Sequence, residues 1–266
     1  MPRRLSAAFF SGTISAMKLC DFFKEYPEVA VAFSGGVDSS YLLFMAARHA
    51  RRVTAYYAKS AFQPQFELED ARRVAEQTGT LMREIPIDVL AAQEVASNPC
   101  DRCYYCKKRI FSAIIREAAS DGYYVILDGT NASDDAGDRP GMKALTELEV
   151  LSPLRMCGLT KDEIRRLSRK AGLPTWDKPA YACLATRIPE GTRITAELLA
   201  RTERAEKALM ELGFSDFRVR TREGGALLQI TAGQAGLYEA RRSDVEQILT
   251  EEYGSYTLDP VYRNGQ

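Results

Sequence analysis

"AVAFSGGVDSS", residues 30–40, decides how the chain folds. Its first part belongs to "VAVAF", residues 29–33, a short apolar run that stops at Ser34-Gly35-Gly36, and a helical pattern resumes through Leu42, Leu43, Met45 and Ala46. The order is strand, glycine turn, helix. A turn at that place can hold a phosphate, because glycines let the backbone approach closely and free N–H groups at the helix start point at the anion. Ser34, Ser39 and Ser40 add hydroxyl donors. Asp38 is the odd residue: its carboxylate repels a phosphate unless a cation such as Mg²⁺ bridges the two. Magnesium pyrophosphate therefore suits the loop. The sequence lacks both the Gly-Lys-Ser/Thr ending of a Walker A loop and the Gly-x-Gly-x-x-Gly of a dinucleotide fold. In isolation, Ser-Gly-Gly also reads as a plain strand-to-helix turn capped by Asp38.

The alternation repeats downstream. "RVTAYYA" reads as a strand, 66–78 as an amphipathic helix, "LMREIPI" as a strand, 105–119 as a helix and "YYVILDG" as a strand. This predicts an α/β fold, a mainly parallel sheet with helices on both faces. After the last strand, "DGTNASDDAGDRPGMKA" crowds Asp134, Asp135 and Asp138 with Arg139 and Lys143 at the sheet edge where open α/β folds bind ligands; an ordinary solvated turn is the plainer reading. Around residue 185 the style changes to one long charged helix closed by Gly213, then two short strands around Gly224-Gly225. The expected units are 17–185 and a small α+β domain over 186–266. Residues 1–16 faintly imitate a secretory signal, but Ser, Gly and Thr interrupt the apolar part. They read as a dispensable tail, with translation starting at Met17.

Thirty-six basic residues balance thirty-six acidic ones, so no global field draws the chain to nucleic acid or an anionic membrane. No apolar stretch approaches the roughly 20 residues that span a bilayer. Neither a nucleic-acid nor a membrane partner is expected, and the chain reads as cytoplasmic and homo-oligomeric. Six cysteines are too sparse for a disulfide scaffold, and three fall within "NPCDRCYYCKKRIF", residues 98–111. Positions three apart on a helix differ by about 60° from alignment and positions six apart by about 120°. Cys100, Cys103 and Cys106 therefore cannot share one helix face: either they lie on a loop or one is a bystander. Cys183 is the distant thiol that could complete a site; a structural zinc knot and a redox pair are the alternatives. Cys20 and Cys157 read as small buried hydrophobes, and His49 as a C-terminal helix cap. Arg218 and Arg220 alternate onto one strand face, suited to a phosphate clamp or to a solvated edge strand.

"SGGVDS" resembles the PP-loop of the ATP pyrophosphatases, which implies ATP cleaved between the α and β phosphates and AMP attached to a substrate oxygen. More of the chain resembles the LarE-type ATP-dependent sulfur transferases of nickel-pincer cofactor synthesis: "AVAFSGGVDSS", "NPCDRCYYCKKRIF", "DGTNASDDAGDRPGMKAL", "SPL" at 152–154, "PAYACLATRIPEGTRIT", "FRVR" and "YTLDPVYR". The resemblance implies a Rossmann-like fold of the adenine nucleotide alpha hydrolase type and a pyridinium biscarboxylate mononucleotide as substrate. It implies ATP contacts at Ala32, Ser34, Gly35, Gly36, Val37, Asp38, Ser39, Gly129, Thr130 and Asn131, Mg²⁺ at Asp38, and the substrate phosphate at Arg187, Arg218 and Arg220. Cys183 is then catalytic with Asp38. Its sulfur is sacrificed in one branch of the family; in the other, Cys103, Cys106 and Cys183 hold a four-iron four-sulfur cluster, with Cys100 extra to the pattern. Gln229 stands where the family suggests an acidic metal ligand, leaving Glu206 as a candidate. A PP-loop tRNA thiolase, an amidating NAD or GMP synthetase and a noncatalytic nucleotide-binding module with zinc are the rival readings.

Overall fold

The computed structural model describes residues 17–134 and 140–263. The expected tail 1–16 and Asp135, Asp138 and Arg139 lie outside the described residues. In chain order the first unit comprises α1 (Leu19–Glu25), β1 (Glu28–Ala32), α2 (Val37–His49), β2 (Arg52–Lys59), α3 (Gln65–Thr78), β3 (Met82–Pro86), α4 (Gln93–Ala96), α5 (Arg102–Ser120), β4 (Ile126–Leu127), α6 (Pro140–Glu147), α7 (Pro153–Met156) and α8 (Lys161–Lys170). A 3₁₀ turn at Leu184–Arg187 leads to α9 (Ala196–Glu211), β5 (Phe217–Arg222), β6 (Gly225–Ile230), α10 (Ala235–Ala240), α11 (Arg242–Tyr253) and β7 (Tyr256–Leu258).

The first sheet has the order β3-β2-β1-β4 with every pairing parallel, as the alternating elements predict. Successive side chains of β1 face opposite layers. Val29 and Val31 pack with Phe22, Leu42, Leu43 and Val74 on one side, while Ala30 packs with Tyr56, Phe111, Ile114 and Ile126 on the other. Covering both faces is what a parallel sheet requires. The strand expected over 123–129 contributes only Ile126 and Leu127 to the ladder, because Tyr123 is held back by its N–H bond to Ala118 O at the end of α5.

The second sheet has the order β5-β6-β7, antiparallel then parallel. Its core is Phe217, Val219, Leu228 and Ile230 against Leu209, Val245 and Leu249. Between the two units, Leu184, Ala185, Ile188, Ile194 and Leu199 share an apolar cluster with Phe62, Val89 and Val95. The chain around the expected 185/186 boundary is thus packed against the first unit.

The turn after β1 depends on Gly35, whose φ is +73°. A Cβ there would lie 3.0 Å from Ala71 Cβ and 3.1 Å from Glu67 O on α3. Gly35→Ala should therefore lose at least the roughly 1–2 kcal/mol of the left-handed penalty, read as a lower urea midpoint at unchanged slope, together with its ATP affinity.

Candidate active site

The phosphate loop crosses from β1 to α2 at the carboxyl end of the sheet. Gly36 is the N-cap of α2 and no side chain caps it, which leaves the first N–H groups of the helix open to an anion. Ser39 Oγ lies 3.0 Å from Ser34 Oγ and donates to Gly36 O at 3.2 Å, fixing the curl of the loop. Gly129 comes in from the end of β4 so closely that a Cβ would meet Ser39 N at 3.0 Å. Beyond it, Thr130 and Ser152 both bond the buried Asp128 carboxylate, and Asn131 N donates to Asp134 Oδ2 at 3.0 Å. The 129–134 loop is thereby held beside the helix start.

Asp38 binds Lys161 Nζ through Oδ2 at 2.6 Å, whereas its Oδ1 is buried with no hydrogen-bond partner. Burial raises its carboxyl pKa, and Lys161 only partly offsets the effect. A buried carboxylate oxygen without a donor is what a cation would occupy, so the residues present fit Mg²⁺. A cavity of about 220 Å³ opens here, lined by Ser34, Gly36, Asp38, Lys161, Lys178 and Tyr181 among others. Because the folded carboxyl holds its proton above the unfolded range, its contribution is fully present below that range and lost as pH rises through the raised value. Asp38→Asn removes this cost: the free protein should melt at or above the wild-type temperature at neutral pH, yet turn over ATP about 10²-fold more slowly. Thermal melts and pyrophosphate release check the two halves.

Helix α5 starts three residues earlier than expected, so the three thiols do not all sit on a loop. Cys103 and Cys106 lie in its first turns, and Cys100 lies in the turn before it. Asn98 sets that start. It adopts φ 56° and its amide donates to Pro189 O at 2.7 Å, so the 188–191 segment fixes where the helix begins. Cys106 and Cys183 belong to one apolar cluster. Burial pushes the Cys106 thiol up to about 12, with the neighbouring Cys183 and Cys103 adding to the rise. Burial also raises the Cys183 thiol, opposed by Arg102. Arg102 is itself buried, with Nη2 3.9 Å from Cys103 Sγ and Nη1 3.0 Å from Ala185 O. Cys103, Cys106 and Cys183 fit an iron-sulfur cluster in donor type alone. Among the described residues no three His, Cys, Asp or Glu side chains are set to hold a metal ion.

Cys100 and Cys103 line a second cavity of about 340 Å³ with Arg102, Thr186, Arg187, Arg220 and Arg222. The three arginines expected at a substrate phosphate differ in what they have free. Arg187 is fully buried and spends its donors on Glu206 Oε1 and Oε2 at 2.9 and 3.1 Å, on Ala182 O and on Thr186 Oγ1. Arg218 bonds Phe217 O and Ala180 O, both at 2.6 Å; burial, Arg187 and Arg263 lower its pKa to about 10. Arg220 uses Nε on Gln229 Oε1 and Nη1 on Thr186 O, which leaves Nη2 in the cavity without a partner among the described residues. Arg222, on the same strand face and exposed, lines the cavity beside it.

Glu206 is filled rather than open to a metal: Arg187, the Tyr181 hydroxyl and Val219 N take its two oxygens. Gln229 passes the contact on from Arg220 to Asp259 Oδ2 at 2.6 Å. Cys157 is buried and its thiol is pushed up to about 11, while Cys20 is half-buried beside it. His49 is the exposed last residue of α2.

The asparagine synthase family matches residues 24–135, which include the phosphate loop. An uncharacterized protein of Synechocystis is 36% identical over 220 residues, 81% of each chain. The pyridinium-3,5-bisthiocarboxylic acid mononucleotide synthase of Lactiplantibacillus plantarum is 34% identical over 215 residues, 80% of this chain and 78% of that one. The chain belongs to the LarE-type family. A tRNA-specific 2-thiouridylase of Acidithiobacillus ferrooxidans is 27% identical over 176 residues, only 54% of this LarE-type chain and 49% of its own. Among the described residues no helix is long and apolar enough to cross a membrane.

Four side chains of this LarE-type site go unmarked by the sequence motifs: Arg102, Lys161, Lys178 and Arg222. Arg222 could have been found by carrying the Arg218–Arg220 alternation one step further, and Arg102 by its place inside "CDRC". Lys161 and Lys178 reach the loop only through folding.

Proposed function

We propose that the protein is an ATP-dependent sulfur transferase that adenylates a carboxylate of a pyridinium biscarboxylate mononucleotide and converts it to a thiocarboxylate, as one step of nickel-pincer cofactor synthesis. One observation carries the reading. The segment running from Lys178 to Arg187 lines the phosphate-loop cavity at one end and the cysteine cavity at the other, with Cys183 between them. Activation and sulfur delivery are thereby set on either side of one strip of chain.

Backbone N–H groups from Ser34 to Ser39 bind the phosphates of ATP, with Ala32, Val37, Gly129, Thr130 and Asn131 around the nucleotide. Asp38 would hold Mg²⁺, which supplies charge neutralisation there when bound. Arg220 and Arg222 offer uncommitted N–H groups to the substrate phosphate, and Arg187 and Arg218 position the strip that carries Cys183. Cys103, Cys106 and Cys183 would hold a four-iron four-sulfur cluster, which supplies sulfide when bound. Arg102 screens the thiolates from one another. Cys100, at the mouth of the same cavity, remains a free thiol.

Heavy-oxygen label in the substrate carboxylate tests the order of events. Adenylation places that oxygen on phosphorus, so displacement by sulfur leaves the label in AMP. Unlabelled AMP would exclude an acyl adenylate. Thiolation of tRNA in place of the mononucleotide would favour the thiouridylase reading.

A further inference from the structure

We propose that Lys178 is a catalytic residue of the adenylation step, the cation that meets the polyphosphate of ATP across from the phosphate loop and neutralises the departing pyrophosphate. The inference rests on the adenylation reading above and deepens it.

Lys178 lines the same cavity as Ser34, Gly36 and Asp38. Its side chain is only 14% exposed, and its ammonium lies 2.7 Å from Asp70 Oδ2 and 3.4 Å from Glu67 Oε1, both on α3. The ammonium thus rests as an ion pair between two carboxylates of one helix. An ammonium carries three N–H donors, and two carboxylates leave one for an anion in the cavity. Glu67 is a poor permanent partner, since burial raises its carboxyl pKa despite Lys178. Polyphosphate oxygens would compete with it well. Lys161, the other lysine of the cavity, is already committed to Asp38.

The backbone beneath Lys178 is fixed. Arg165 donates to Trp176 O at 2.9 Å and to Lys178 O at 3.0 Å, and Lys178 N donates to Thr175 O at 3.2 Å. In the step itself, a substrate carboxylate oxygen bonds to the α phosphorus. The bond from that phosphorus to the oxygen bridging to the β phosphorus breaks, and its electron pair leaves with pyrophosphate. No proton moves. Charge therefore accumulates on the leaving group, where a fixed cation acts more strongly on the transition state than on bound ATP.

Lys178→Met keeps the apolar stem and removes the charge. With the full chain, Mg²⁺, ATP and the mononucleotide, pyrophosphate release should fall about 10²-fold, while affinity for a non-cleavable α,β-methylene ATP changes less than about threefold. Lys178→Arg should recover part of the rate. Wild-type release by the Met variant, or a loss carried wholly by weaker analogue binding, overturns the proposal. Asp70→Asn guards against a folding defect: it removes the resting partner and keeps the cation, so release should hold at the wild-type rate. A loss there as deep as in Lys178→Met would make the ion pair, not phosphate contact, the role of Lys178. A wild-type protein that releases no pyrophosphate sinks the adenylation reading itself, and the proposal with it. Wild-type turnover with an unaffected Met variant sinks the proposal alone.

Discussion

The Cys183→Ser protein should release pyrophosphate from ATP in the presence of the mononucleotide and form no thiocarboxylate. Cys183 sits on the strip between the two cavities, and its neighbours in the apolar cluster are Tyr105, Cys106 and Ile110 of the cysteine helix. The phosphate loop, Asp38 and Lys161 line the other cavity. Serine is close in size but supplies neither a soft thiolate ligand nor a sulfur atom. Adenylation should therefore survive, with sulfur transfer lost entirely. Retained thiolation would remove Cys183 from the chemistry. Cys103→Ser then separates the two sulfur sources. With a cluster as source it should behave like Cys183→Ser and lose bound iron. With Cys183 as the sacrificed donor it should still make one product per chain and leave dehydroalanine at 183.

Glu206→Ala should be the most destabilising single change in the C-terminal unit. Arg187 and Glu206 form a two-pronged ion pair with side chains 0% and 2% exposed. Removing the carboxylate strands a buried guanidinium and leaves Val219 N and the Tyr181 hydroxyl without their acceptor. Breaking such a pair costs about 3–5 kcal/mol. The urea midpoint should fall accordingly, and thiolation should suffer because Arg187 no longer anchors the 182–187 strip through Ala182 O and Thr186 Oγ1. A variant as stable as the wild type would show that the pair is not buried in solution.

The phosphate loop was fully legible in the sequence because its logic is local. A strand, a glycine forced to positive φ and a helix start occupy consecutive residues, although Gly36 and not Asp38 is the N-cap. The parallel sheet was legible for the same reason, from alternating periodicities. The thiols were not. Their spacing excluded a shared helix face, but the start of α5 is set by Asn98 bonding to Pro189, a contact made by a distant stretch of chain. Arg218 and Arg220 were visible as a pair on one strand face, and Arg187 only through the family resemblance. Which of them keeps donors free depends on Glu206, Ala180 and Gln229, and no spacing rule reveals that. Lys161 and Lys178 are surface-like lysines in sequence, and only the packing of α8 and of the following segment brings them to the loop.

The most direct measurement is the mass spectrum of the small-molecule products after anaerobic incubation of the protein with ATP, Mg²⁺ and the pyridinium biscarboxylate mononucleotide. The account predicts a product in which sulfur replaces one carboxylate oxygen, formed with AMP and pyrophosphate. An amide, ADP with phosphate, or a mononucleotide returned unchanged while ATP is cleaved would contradict it.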